Sequence, residues 1–453
     1  MKRIIFLLLS SLIFFSGCSV GKTYLNKDSA YKLYSQGLLY ENEGKNRVAI
    51  SYYQEALASD PSSVEILSKL AIVYLKTGSL KRAKNFFFLA LKKDPEDKRA
   101  LRGLALLYLI QKKVNLAIDQ YEKLVQLYPK DVSSYLALAD LYSKKGNLPE
   151  ALQFYRRIIT FSPENAVVHY NYGLLLEQSD KKDAAERELR KAIELQPNFL
   201  RAHLALAIIY EKQKKYPPAI TQYRKVLDLN EKSPLIYQQL ARLYLEVDET
   251  KEAKKILEKA VNLGIKDWQI YCSLAFIYYQ EEKLNSARML LEKALSWEKN
   301  STIYFYLALI LDKEDKKEET ISHLKEAIRL DSNSHLALNY LGYLYAEEGI
   351  NLKEAEKLVK RAVTLEPDNG AYIDSLGWVY FKMGKIKKAR ILLEKAAALE
   401  RDAEIYEHLG EVYSKSRLYL DALASFAKSL ELKPSEKIRR KLESVYKLIR
   451  DEH

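Results

Sequence analysis

The chain has 453 residues, 48% hydrophobic and 29% charged, with a formal net charge of +13. That balance excludes a disordered polyelectrolyte and supplies a buried core over most of the length. Only 15 glycines and 11 prolines argue against a loop-rich all-β chain and for helices, and two cysteines exclude a disulfide-stapled scaffold.

Residues 1–17, MKRIIFLLLSSLIFFSG, begin with Lys2 and Arg3, run apolar from Ile4 to Phe15 and end on the small Ser16 and Gly17. This is the order of a cleaved secretory signal, too short to cross a bilayer comfortably. Phe15-Ser16-Gly17-Cys18 resembles a bacterial lipobox, with Phe15 where leucine is usual. The resemblance implies lipidation of Cys18, a linker over residues 18–29, and an outer-membrane lipoprotein facing the periplasm, because Ser19 rather than Asp follows the cysteine. Several acyl chains on one cysteine anchor stably, since each buried methylene contributes about 0.8 kcal/mol. The same stretch, SGCSVGKT, imitates a phosphate loop. That motif needs four residues between its first glycine and the Gly-Lys pair. Gly17 and Gly21 leave three, and no βαβ pattern follows.

From residue 30 the sequence repeats itself. Pro61, Pro95, Pro129, Pro163 and Pro197 are spaced by 34, and so are Tyr40, Tyr74, Tyr108 and Tyr142, and later Tyr210, Tyr244 and Tyr278. Three residues before each tyrosine stands a small residue, as at Gly37, Ala71 and Ala105, and nine after it an alanine, as at Ala49, Ala83 and Ala117. The last copy carries Tyr406, Leu409-Gly410, Tyr413, Ala422, Phe426 and Pro434. This pattern resembles the tetratricopeptide repeat (TPR), in which each copy is a helix-turn-helix unit that buries its apolar face only by stacking on neighbours. The resemblance implies an all-α, right-handed superhelical solenoid of about twelve repeats over residues 30–436, with a capping helix over 437–453. Turns such as KKGNLPEA supply Gly146 after one helix, Asn147 as the expected cap of the next, and Pro149 in its first turn. Thr320 replaces a repeat alanine, and EEGINLKEA holds one extra residue.

Residues 64–131 hold 14 Lys/Arg against 7 Asp/Glu. Such a patch suits nucleic acid, anionic lipid or an acidic protein, but a lysine-rich solvated helix surface accounts for it as well, and no nucleic acid is expected. Leu75, Leu106, Leu109 and Ile110 form a small apolar patch beside it. Cys272, in a helical run, is expected to be an unpaired, partly buried thiol. His169 and His203 lie one repeat apart at a position other copies fill with Tyr or Leu, so packing is expected rather than metal. No metal-ligand spacing and no nucleophile–base constellation stands out, so neither a cofactor nor an enzyme is expected, nor a small-molecule substrate.

The stripe of each first helix that would face a groove is mixed to polar at Asp140, Ser143 and Glu177. In copies 8–11 it turns apolar and aromatic: Phe276, Tyr279, Phe305, Leu309, Tyr343, Trp378 and Phe381, with Asn339 and Asp374 as polar neighbours. These nine are the candidate partner-binding residues, since an aromatic groove suits a segment of another protein. On that reading Trp378 and Phe381 are dispensable for folding; the opposing one has neighbouring copies bury the stripe. Residues 341–389 further resemble a block of bacterial envelope TPR lipoproteins, some of them adaptors that recruit a carboxyl-terminal processing protease. The expectation is a lipid-anchored scaffold that holds proteins in the cell envelope, as an adaptor for a protease or for peptidoglycan-remodelling enzymes. The alternative is a structural part of an exopolysaccharide, pilus or outer-membrane protein assembly machine.

Overall fold

The computed structural model describes residues 27–452, with side chains through Arg450. The signal sequence 1–17 and the lipidation site Cys18 lie outside the described residues, as does the linker as far as residue 26. Residues 27–29, expected in that linker, already form the first turn of α1.

The described chain is helical throughout, without a strand. Its helices are α1 (Lys27–Asn42), α2 (Asn46–Ser59), α3 (Val64–Lys76), α4 (Leu80–Lys93), α5 (Lys98–Ile110), α6 (Val114–Leu127), α7 (Val132–Lys144), α8 (Leu148–Phe161), α9 (Ala166–Gln178), α10 (Lys182–Leu195), α11 (Leu200–Lys212) and α12 (Tyr216–Leu229). There follow α13 (Pro234–Glu246), α14 (Thr250–Asn262), α15 (Trp268–Gln280), α16 (Leu284–Leu295), α17 (Ser301–Lys313), α18 (Lys317–Leu330), α19 (His335–Glu347), α20 (Leu352–Leu365), α21 (Gly370–Lys382), α22 (Ile386–Leu399), α23 (Ala403–Lys415), α24 (Tyr419–Leu432) and α25 (Glu436–Glu452). The first 24 follow one another as twelve pairs, and the chain divides into two compact units at Ile209/Tyr210. Within each unit the helices of a pair pack together, and each pair packs on the next.

The repeat alanines explain the closeness of that packing. Ala49, Ala83, Ala117, Ala151, Ala253 and Ala389 are all wholly buried, and a larger side chain there would push the paired helices apart. At several helical glycines even alanine is too large. A Cβ on Gly103 would sit 2.2 Å from the Phe87 ring, and one on Gly410 2.6 Å from Phe426. Thr320, standing for an alanine, is wholly buried, and its hydroxyl donates back to the Lys316 carbonyl at 2.9 Å.

Backbone geometry closes the turn inside each pair. The N–H of Ser79 donates to the Tyr74 carbonyl at 2.9 Å, Lys113 to Tyr108 at 2.8 Å and Lys283 to Tyr278 at 2.8 Å. This six-to-one bond requires a left-handed residue just before the donor. Gly78 (φ 76°) supplies it in one turn, Lys112 (φ 58°) and Glu282 (φ 60°) in others. Gly146 (φ 80°) and Pro149 take their expected places, but the side chain of Asn147 makes no cap hydrogen bond. Its backbone N–H is already held by the Tyr142 carbonyl at 2.9 Å. Side-chain caps occur on several of the odd-numbered helices: Asp97 accepts from Ala100 N at 2.9 Å and Asn369 from Tyr372 N at 3.1 Å. The extra residue of EEGINLKEA is absorbed within one turn. Gly349 is left-handed (φ 68°), and Asn351 is left-handed again (φ 47°) at the head of α20.

The last helix, α25, lays Ile438 and Val445 against Ala422 and Phe426 of α24. Lys441 of α25 reaches Glu407 at 2.7 Å and also bonds Glu411.

Candidate functional site

The expected stripe runs along α15, α17, α19 and α21, and the structure divides its members. Phe305, Trp378 and Asp374, expected on an open groove, are only 7%, 6% and 5% exposed. The cause is the following copies. α19 sets Tyr340 edge-on to Phe305, with centroids 6.2 Å apart, and α23 stacks His408 on Trp378 at 3.9 Å. Phe381 also stacks on Trp378, at 4.9 Å, and the indole N–H donates to Glu347. Phe276, Tyr279, Leu309 and Phe381 are half-buried. Phe276 lies 5.7 Å from Tyr306, and the Lys313 ammonium lies 5.6 Å from the Tyr279 ring. Trp378 is therefore a packing residue, not a dispensable one.

Asn339, Tyr343 and Asp374 come together. They line a cavity of about 240 Å³ whose other walls include Tyr340, Ser375, Glu400, Asp402 and Glu404. Three consecutive odd-numbered helices build it. α19 contributes Asn339 and the two tyrosines, α21 contributes Asp374, and the start of α23 contributes Asp402 and Glu404. Asp402 is fixed there because it caps α23, accepting from Glu404 N at 2.7 Å. Glu404 lies in the first turn, where the helix dipole favours a negative charge.

Hydrogen bonds hold this wall in place. The Tyr343 hydroxyl donates to Glu404, two copies further along the chain. The Tyr340 hydroxyl donates to Asp312 at 2.7 Å. Burial, aided by those carboxylates, pushes both phenols well above their usual range, so they remain donors at any physiological pH. His408 Nδ1 donates to Asp374 at 2.9 Å. Burial alone would lower the histidine's affinity for a proton, but the charge of Asp374, its hydrogen bond, and then Glu404 and Glu347 raise it overall. The Asn339 Oδ1 atom is buried and has no hydrogen-bond partner. Such a wall, rich in carboxylates and offering one free acceptor, suits a donor with positive charge such as an ammonium or guanidinium group.

Sequence reasoning missed Glu400, Asp402, Glu404 and His408. One signal was present: His408 follows Asp374 by 34 residues, so the two occupy the same register in adjoining copies. The remaining candidates settle elsewhere. His169 and His203 are buried and donate through Nε2 to the carbonyls of Pro163 at 2.8 Å and Pro197 at 2.9 Å, and His169 also meets Glu188 at 2.6 Å. Cys272 is 3% exposed, more buried than expected, and burial pushes its thiol up to about 12. Leu106 and Ile110 of the N-terminal apolar patch are exposed, whereas Leu75 and Leu109 are partly covered. Among the described residues no helix is long and apolar enough to cross a membrane.

Compared with known families, residues 42–107, 90–132, 269–301, 372–402 and 403–436 match tetratricopeptide repeat descriptions. Residues 135–264 match the cilia and flagella-associated protein 70 middle TPR-like domain. Among curated proteins, a TPR repeat-containing protein of Pseudomonas aeruginosa is 32% identical over 104 residues, 23% of this chain and 18% of that protein. Tetratricopeptide repeat protein 13 of Homo sapiens is 29% identical over 136 residues, 29% of this chain and 16% of that protein. The chain thus spans less than a fifth of the length of either relative. Among solved structures, the APC/C hetero-tetramer Cut9–Hcn1 aligns with 93% of this chain and 90% of its own at 16% identity and a TM-score of 0.44. Yeast Tom70 aligns with 92% of this chain and 99% of its own at 18% identity and a TM-score of 0.39.

Proposed function

The chain belongs to the tetratricopeptide repeat family, and on that premise we propose that it is a lipid-anchored scaffold that holds other proteins at the bacterial cell envelope. In this reading Cys18 carries the lipid, the protein faces the periplasm from the outer membrane, and the repeats recruit a protease or peptidoglycan-remodelling enzymes. The cavity between α19, α21 and α23 carries the binding half of the proposal. Asn339 Oδ1 waits there without a partner among carboxylates on a rigid, hydrogen-bonded wall, which suits the Lys or Arg side chain of a protein segment. The lipobox resemblance supports the anchoring half. Confinement to a surface raises the effective concentration of partners that share it, so a modest groove affinity is enough.

Affinity capture from detergent-solubilised membranes tests it, with the wild-type chain beside Glu404→Lys. A protease recovered by the wild type and lost on the variant is the expected result. Recovery of export or pilus components would favour the assembly-machine alternative, and equal recovery by both chains would remove the cavity from the account. Cys18→Ser should move the protein from the membrane to the soluble fraction; retention at the membrane would sink the anchor.

A further inference from the structure

The repeat tyrosine at the end of the first helix has a regular partner. The Tyr142 hydroxyl donates to Glu122 on the preceding helix at 2.8 Å, and Tyr278 donates to Glu258 at 2.8 Å. Gln54 Nε2 instead donates to the Tyr74 hydroxyl at 3.0 Å, all three pairs being 20 residues apart. Tyr244 breaks the rule: the residue 20 before it is Arg224, which offers the hydroxyl no acceptor and does not pair with it. Its hydroxyl is buried with no partner, and the whole residue is 6% exposed. Tyr345, 20 residues after Lys325, likewise has a buried hydroxyl without a partner. A buried hydroxyl without a partner is destabilising.

Beside Tyr244 this cost meets an opening. Two adjoining cavities of about 430 and 520 Å³ both carry Tyr244, Arg224, Lys255 and Glu252 on their walls. Glu252 lies 3.7 Å from the Arg224 guanidinium and 3.9 Å from the Lys255 ammonium, beyond the length of a charge-assisted hydrogen bond. Both cations therefore keep donors for another acceptor. Lys259, on the first cavity, is held by Glu231 at 2.9 Å. Asp228 and Glu252 line the same space and repel a dianion more strongly than a monoanion, while a planar carboxylate matches the fork of Arg224.

We infer that the cavity between α12, α13 and α14 binds a carboxylate, which accepts from the Tyr244 hydroxyl at its base and from Arg224 and Lys255 at its rim. The site lies apart from the acid-lined cavity of α19–α23 and takes the opposite charge. A chain built this way carries two complementary recognition points within residues 210–453.

Acetate is the probe, with inorganic phosphate and chloride beside it at constant ionic strength. Ring-labelled tyrosine followed by NMR should show one resonance, assigned by its loss in Tyr244→Phe, that moves saturably with acetate. Arg224→Gln should abolish that movement. It should also melt at or above the wild-type temperature, because the amide can pair with Tyr244 as Gln54 does with Tyr74. Tyr244→Phe should fold and lose the acetate-dependent rise in melting temperature. Absence of any saturable shift in the wild type would overturn the proposal, as would equal shifts in Arg224→Gln, or tighter binding of phosphate than of acetate.

Discussion

Trp378 shows why a residue's class on a helix stripe does not fix its role. Its ring is stacked by His408 and Phe381, and its N–H is held by Glu347. Trp378→Ala would open a cavity in a packed region, with an expected cost of about 3–5 kcal/mol. Chemical denaturation checks this; a midpoint unchanged from wild type would return the ring to the surface. The His408–Asp374 pair makes a prediction in pH. His408 has a raised proton affinity in the folded chain, so the folded state binds its proton more tightly than the unfolded state. The stability it contributes is complete below the unfolded value of about 6.5 and fades as pH rises through the higher folded value. Denaturation midpoints measured from acid to mildly alkaline pH should fall more steeply in wild type than in His408→Gln. Parallel curves would mean that the pair does not hold the proton.

The turn within each pair is where local sequence and geometry disagree. Every such turn closes with a left-handed residue, yet Lys112, Asp180, Asp248, Glu282 and Arg417 fill that place in some copies and glycine in others. A side chain there costs about 1–2 kcal/mol, part of which a glycine returns to the unfolded chain as entropy. Lys112→Gly is therefore expected to stabilise by about 0.5–1 kcal/mol without altering either helix. Circular dichroism with thermal melting decides it; a lower melting temperature would show that the Lys112 side chain contributes more than its conformation costs. The turns also set the positions of the caps. Ser79, Lys113 and Asn147 share nearly the same backbone (φ −79°, −93° and −90°, ψ 60°, 66° and 72°), and none of them makes a side-chain cap hydrogen bond.

Across the whole molecule the pairing of helices was legible from the recurrence of Tyr and Ala, because those positions face the nearest helix. Ala49 and Ala83 meet neighbours a few tens of residues away at most, so periodicity alone betrays them. The candidate site was legible only in part. Asn339, Tyr343 and Asp374 belonged to the stripe read from the sequence, but the acids opposite them arrive from later copies, Glu404 across 61 residues from Tyr343. Pattern within one repeat cannot report a wall supplied by two others. The same dependence on neighbours governs stability, which in stacked repeats is approximately a sum of copies and their interfaces. Removing residues 436–453 would bare Phe426 and Ala422, which α25 now covers. The shortened chain should lose the protection of α23 and α24 in hydrogen exchange and bind more of a hydrophobic dye. Unchanged protection would mean that α24 ends the stack unaided.

The doubled left-handed turn at Gly349 and Asn351 has a practical corollary. It shows a place where the chain has already taken an additional residue while α19 and α20 kept their lengths and their mutual packing. A short insertion there, such as an epitope or a protease-cleavage sequence, should be carried outward by the loop and leave both flanking helices seated. That offers a handle for a fluorophore or an affinity tag in the middle of the chain, placed without disturbing the helices on either side.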